Sequence, residues 1–142
     1  MIHCRIVIPR DSGGEEGRPV KTILVIEDDE QTRGMLAEMM RRAGYDVLEA
    51  PDGRVGVELF RSRRVDLVIT DILMPEKDGL ETIRDLKRES PDVRIIAISG
   101  GGRTGLLDFL PVARRLGASR TFAKPTDRRE LLSAVAEELA AG

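Results

Sequence analysis

Tryptophan is missing from this chain, which has only one tyrosine, three phenylalanines, one cysteine and one histidine. So few rings argue against a stacking platform for bases or sugars. Cys4 has no partner for an internal disulfide, which suits a reducing compartment. Charge of one sign is lacking too: 23 Lys and Arg against 25 Asp and Glu leave a net charge of −2. A binder of nucleic acid needs a basic excess, so nucleic acid is not expected as a direct partner, and nothing points to a membrane surface. No apolar run approaches the roughly 20 residues that span a bilayer, and no charged-then-apolar leader resembles a secretion signal. A cytoplasmic chain is the expectation.

The 142 residues that are present suit one domain with a short appendage, and 41% of them are hydrophobic, enough for a core. Residues 1–20 differ from the rest. Ile6-Val7-Ile8 could form a short strand, but Pro9 and the stretch Asp11 to Pro19, rich in Gly and Glu, read as a flexible N-terminal extension. His3-Cys4 supplies two ligand types, which do not make a metal site. The main domain is expected over 21–142.

From Thr22 onward, apolar runs alternate with helical periodicity. Thr22-Ile23-Leu24-Val25-Ile26, Leu67-Val68-Ile69 and Ile95-Ile96-Ala97-Ile98 read as strands covered on both faces. Asp46 to Ala50 alternates and reads as an edge strand, and Arg120 to Ala123 as a short last one. Between them lie helical patterns. Met35, Leu36, Met39, Met40 and Ala43 mark one face of the first helix, which Gly44 ends. Val55, Leu59 and Phe60 mark the second, and Leu80, Ile83 and Leu86 the third. The fourth is expected to be capped by Asp108, with Pro111 in its first turn, and to end at Gly117; Leu131, Leu132, Val135 and Leu139 line the fifth. Five strands alternating with five helices predict an α/β fold: a doubly wound, five-stranded parallel sheet in the order 2-1-3-4-5.

That topology makes the polar strand ends informative. Glu27-Asp28 follows the first strand, Asp71 the third, Ser99 the fourth and Lys124 the fifth. Carboxyl ends of parallel strands lie along one edge, where ligands bind at the point at which the helices change face. Each residue has an ordinary reading alone: negative charge at a helix N-terminus, a cap, a turn residue, a solvated lysine. Their joint placement does not. Carboxylates about 5 Å apart repel by roughly 3 kcal/mol per pair at an effective dielectric near 20, so three of them call for a cation. The donors are all oxygens, which favours Mg²⁺ over zinc or copper. With the ion present Asp71 can attack phosphorus as a nucleophile, Lys124 can pair with phosphoryl oxygens, and the Ser99 hydroxyl can donate to one of them.

These residues lie within longer matching stretches: Ile23-Leu24-Val25-Ile26-Glu27-Asp28-Asp29-Glu30, Asp66 to Pro75, Asp78-Gly79-Leu80, Ile98-Ser99-Gly100 and Phe122-Ala123-Lys124-Pro125. In them, over about Lys21 to Leu139, the sequence resembles the response-regulator receiver family of two-component signalling, with its CheY-like fold. The resemblance implies that Asp71 is the phosphoacceptor and that Asp28, Glu27 (directly or through water), Asp71 and the backbone carbonyl of Leu73 hold Mg²⁺. It makes Ser99 the switch hydroxyl and Lys124 the phosphate-pairing cation, with a cis peptide at Lys124-Pro125. The phosphoryl donor would be a phosphohistidine on a sensor histidine kinase or a histidine phosphotransfer protein. Output would pass to an unknown downstream protein through the fourth helix, fifth strand and fifth helix. The chain would be a switch, not an enzyme. Two positions depart from the pattern. Thr121 stands where an aromatic switch residue is common, with Phe122 on the opposite face of the strand. Leu73 and Gly101 cannot orient a hydrolytic water, so slow self-dephosphorylation is expected.

Other functions fit less well. A flavodoxin-type cofactor binder needs a hydroxyl- and glycine-rich loop after its first strand, where this chain has four acids. An aspartyl phosphatase or mutase would want a second acid where Leu73 stands. A receiver fragment of a longer regulator or hybrid kinase, and a phosphorylation-independent binding module of the same fold, remain alternatives.

Overall fold

The computed structural model describes residues 20–72, 79–99, 110–124 and 126–141. Strands and helices alternate throughout: β1 (Thr22–Ile26), α1 (Glu30–Arg42), β2 (Asp46–Ala50), α2 (Gly53–Ser62), β3 (Leu67–Asp71), α3 (Gly79–Glu89), β4 (Ile95–Ser99), α4 (Leu110–Leu116), β5 (Arg120–Ala123) and α5 (Arg128–Ala141). All neighbouring strands are parallel and the sheet order is β2-β1-β3-β4-β5, as the alternation of apolar runs and helical periods predicts. The leader's apolar triplet, the Asp108 cap, the glycines at 100–102, Leu73 and Pro125 lie outside the described residues.

Side-chain alternation along the strands divides the core into two layers. Leu24, Ile26, Val68, Ile95 and Ala97 point to one face and meet Val57 of α2, Ile83 and Leu86 of α3 and Ala113 of α4. Ile23, Val25, Ile69, Ile96 and Ile98 point to the other and meet Leu36, Ala37 and Met40 of α1 and Leu131, Ala134 and Val135 of α5. Every residue of β3 and β4 is buried, consistent with central strands covered on both sides. Each such Ile or Leu contributes roughly 1.5–3 kcal/mol of burial, and this places the strand ends firmly.

The helices' buried stripes differ in detail from the sequence expectation. In α1 the stripe is Leu36, Ala37 and Met40. Met35 is 58% exposed and Ala43 lies on the surface past the helix end, so neither belongs to it. Leu36, Ala37 and Met40 satisfy the 3.6-residue period about the sheet normal, and Met35 is rotated a step outside it. In α2 the buried residues are Gly53, Gly56 and Val57, with Val55, Leu59 and Phe60 packed at the flanks. A Cβ on Gly56 would run into the Ile26 side chain, which would have to shift to admit it, so α2 packs closely on β1 here. Gly44 (φ 99°) and Gly117 (φ 124°) take left-handed conformations just beyond α1 and α4, as expected of glycines that end helices.

Candidate functional site

β1 and β3 are adjacent, with Ile26 opposite Thr70, so the residues that follow them emerge side by side at the carboxyl edge of the sheet. α1, which follows β1, covers one face and α2, which returns to β3, the other, leaving a crevice at this edge. Into it project Glu27, Asp28 and Asp71. One carboxylate oxygen from each lies within 4.8 Å of the others, although Glu27 is 2% and Asp71 5% exposed. Asp28 is at the solvent rim.

The four acids after β1 divide their work. Glu27 and Asp28 face the crevice. Asp29 is the N-cap of α1: its Oδ2 accepts from the Thr32 main-chain N–H at 2.8 Å and from the Thr32 hydroxyl at 2.6 Å. Those hydrogen bonds hold the Asp29 carboxyl below the usual carboxylate range. Glu30 sits in the first helical turn, where negative charge complements the helix dipole. The helix-terminus reading thus holds for Asp29 and Glu30, while the carboxylates of their two predecessors gather with that of Asp71 instead.

Lys124, directly after β5, reaches across to this group. Its Nζ is 3.1 Å from Glu27 Oε1 and 3.5 Å from Asp71 Oδ1. Burial pulls the ammonium's pKa down, but the carboxylates of Asp71 and Glu27 outweigh it and raise the net value. The Asp71 pKa also moves up, which for a carboxyl disfavours the charged form. Burial, and then the Glu27 charge with a smaller push from Asp28, raise its carboxyl from 3.8 to about 6, against the pull of Lys124. One ammonium does not neutralise three carboxylates.

Ser99 ends β4 and is buried. Its carbonyl accepts from the Lys124 N–H at 2.9 Å, which ties the end of β4 to the lysine. Thr121 is half-buried in mid-β5 opposite Ala97, on the α2–α4 side, and Phe122 packs on the α1–α5 side. The two therefore lie on opposite faces, as the strand period requires. Glu27, Asp28, Asp71 and Lys124 are brought together, with Ser99 beside them. Thr121 is on a neighbouring strand, away from the acids' own hydrogen bonds, and the Leu73 carbonyl lies outside the described residues.

Two residues that shape the crevice are given no role by the sequence pattern. Arg33 of α1 donates from Nη1 to the Glu27 main-chain carbonyl at 3.0 Å. Gly79, the first residue of α3, donates its N–H to the Ile72 carbonyl at 2.7 Å, and a Cβ on it would collide with backbone atoms of Asp71 and Ile72. The first looks like any arginine on a polar helix surface; the second falls in the matching stretch Asp78-Gly79-Leu80, but the sequence does not show what its missing side chain makes room for.

Chemically, the site is a ring of oxygen donors whose mutual repulsion already shows in Asp71. Such a set fits a hard divalent cation. With no nitrogen or sulfur ligand in this cluster among the described residues, it does not suit zinc or copper.

Comparison with known proteins agrees with this chemistry. The family model "Response regulator receiver domain" matches residues 23–136. This chain belongs to the response regulator receiver family. It is similar to sporulation initiation phosphotransferase F of Bacillus subtilis, at 32% identity over 82% of this chain and 92% of that protein. It is also 35% identical to the DNA-binding transcriptional regulator NtrC of Azospirillum brasilense, over 83% of this chain but only 24% of that longer protein. The fold matches a receiver-domain protein from Clostridium thermocellum with a TM-score of 0.79 and 26% identity, over 86% of this chain and 96% of that one. As a receiver it is a phosphoacceptor module of two-component signalling. Domains of this family generally bind Mg²⁺ and act as switches. Among the described residues, no helix is long and apolar enough to cross a membrane.

Proposed function

We propose that Asp71 is the residue phosphorylated in this receiver, and that Mg²⁺ held by Glu27, Asp28, Asp71 and the Leu73 carbonyl is required for the reaction. The observation that carries this reading is the meeting of three carboxylates from two strand ends within 4.8 Å, with Lys124 3.5 Å from Asp71. When bound, the ion supplies charge neutralisation and orients a phosphoryl oxygen. Asp71 is largely ionised at neutral pH, since its pKa is about 6. Its carboxylate oxygen forms the new bond to phosphorus as the bond to the donor's imidazole nitrogen breaks, and the electron pair leaves with the imidazole. The product is an acyl phosphate.

Lys124 then exchanges part of its contact with Glu27 and Asp71 for the phosphoryl oxygens, and Ser99 donates its hydroxyl to one of them. Thr121, on the next strand two residues before Ala123, the partner of Ser99, would carry the change outward in place of an aromatic ring. The donor is a sensor histidine kinase or a histidine phosphotransfer protein, and the output is a downstream protein rather than turnover chemistry. The receiver proper runs over 21–142, with 1–20 as an extension, and works in the cytoplasm.

The test is to incubate the chain with acetyl phosphate and Mg²⁺ and weigh it by mass spectrometry. One added phosphoryl group is expected, absent after chelation and absent in Asp71→Asn. Label that survives in Asp71→Asn would move the phosphoacceptor elsewhere. No label in wild type would leave a phosphorylation-independent binding module.

A further inference from the structure

Arg33 lies in the first turn of α1, and its side chain is only 18% exposed. While Nη1 donates to the Glu27 carbonyl at 3.0 Å, Nε pairs with Glu49 Oε1 at 3.5 Å. Glu49 belongs to β2 and is clamped from the other side by Arg41, two helical turns further on, whose Nη2 lies 3.1 Å from Oε2. On the same strand Ala50 accepts the Glu27 N–H at 3.0 Å. The Glu27 peptide is therefore held at both its N–H and its carbonyl, and β2 is the anchor for each. Beyond it the loop is secured through Asp29, whose N–H donates to Glu27 Oε2 at 3.1 Å and whose carboxylate caps α1.

We propose that Arg33 is a positioning residue for the divalent-ion site. By tying the Glu27 carbonyl to Glu49, it sets the orientation of the Glu27–Asp28 peptide and so the distance of these two carboxylates from Asp71. This rests on reading the three acids as an ion site. Charge and position make opposite demands on Arg33. A guanidinium near a cation site weakens binding by repulsion, so removing it tightens the site if charge is all that matters. If position matters, removing it lets the loop turn, and binding weakens.

The experiment is calorimetric Mg²⁺ titration of the full chain as wild type, Arg33→Met, Arg33→Lys, Glu49→Gln and Asp71→Asn, with circular dichroism of each without metal. Arg33→Met is expected to weaken Mg²⁺ binding about tenfold, as loss of an outer-shell partner does at other metal sites. Arg33→Lys keeps the charge but can satisfy only one of the two partners, so it falls between. Glu49→Gln, which leaves Arg33 in place without its anchor, also weakens binding. Binding by Arg33→Met as tight as wild type, or tighter, overturns the proposal. Should Arg33→Met melt, Arg33→Lys decides: wild-type affinity overturns the proposal and weakened affinity supports it. Wild-type protein with no saturable Mg²⁺ binding, or binding unchanged in Asp71→Asn, instead brings down the ion-site reading and this inference with it.

Discussion

Asp71→Asn is expected to make the metal-free protein more stable at neutral pH, although it removes the residue proposed to carry its function. The structure sets both sign and size. Burial and the Glu27 charge raise the Asp71 carboxyl from 3.8 to about 6. A carboxyl raised on folding favours the native state while it is protonated, below 3.8, and that advantage is lost as the pH climbs through about 6. At pH 7.5 the ionised group therefore costs the native state about 3 kcal/mol, at 1.36 kcal/mol per unit of difference between folded and unfolded pKa. The neutral amide of the Asp71→Asn variant would not incur that cost. For a chain of this size the gain corresponds to a rise in Tm on the order of 10 °C. At pH 4 the gap shrinks below about 1 kcal/mol, because the wild-type group is then largely protonated in the native state. Thermal unfolding of both proteins in EDTA at pH 4, 6 and 7.5 measures it. Mg²⁺ at about 20 times its Kd should return roughly 1.8 kcal/mol to the wild type alone. A variant no more stable than wild type at pH 7.5, or a gap that ignores pH, would refute the claim that repulsion and burial strain Asp71.

Gly79→Ala places a methyl against the Asp71 carbonyl and the Ile72 Cα, backbone atoms that cannot turn aside. Urea unfolding should show a loss of about 1–3 kcal/mol, with weaker Mg²⁺ binding as the Asp71 strand end shifts; unchanged stability would mean that α3 slides freely. Lys124→Met removes the ammonium that contacts both Glu27 and Asp71. The Asp71 pKa should rise further, and Mg²⁺ should bind at least about tenfold tighter because a repelling charge is gone, while acetyl phosphate labelling falls. Calorimetry showing weaker Mg²⁺ binding would indicate that Lys124 organises the acids rather than opposing the ion.

The strand ends were legible in the sequence because a parallel sheet converts position along the chain into position in space. Glu27, Asp71, Ser99 and Lys124 each end or follow an apolar run, and every such run delivers its last residue to the same edge. Helix faces were less legible. Hydrophobicity marks Met35 as core, but whether it is buried depends on a rotation of α1 that Leu36, Ala37 and Met40 decide together against Ile23 and Val25. Glu138 is the reverse case, a charged residue that hydrophobicity does not mark as buried. It lies 7% exposed on the inner side of α5 because Arg120 at 2.8 Å, from β5, and Arg94 at 3.3 Å, just before β4, cross to meet it.

The same distinction separates the site's acids from what holds them. A carboxylate at a strand end can be read from one segment, since topology alone locates it. The function of Arg33 needs three segments at once: a helix turn that aims it, a loop carbonyl that accepts from it, and an edge strand whose Glu49 receives its other side. Gly79 likewise lies in a matching stretch, but the reason for its missing side chain shows only once β3 lies beneath it. A receiver's reactive residues are thus fixed by where strands stop, and their spacing is fixed by contacts between elements far apart in sequence. Substitutions among those contacts offer a way to tune ion affinity while every acid stays in place.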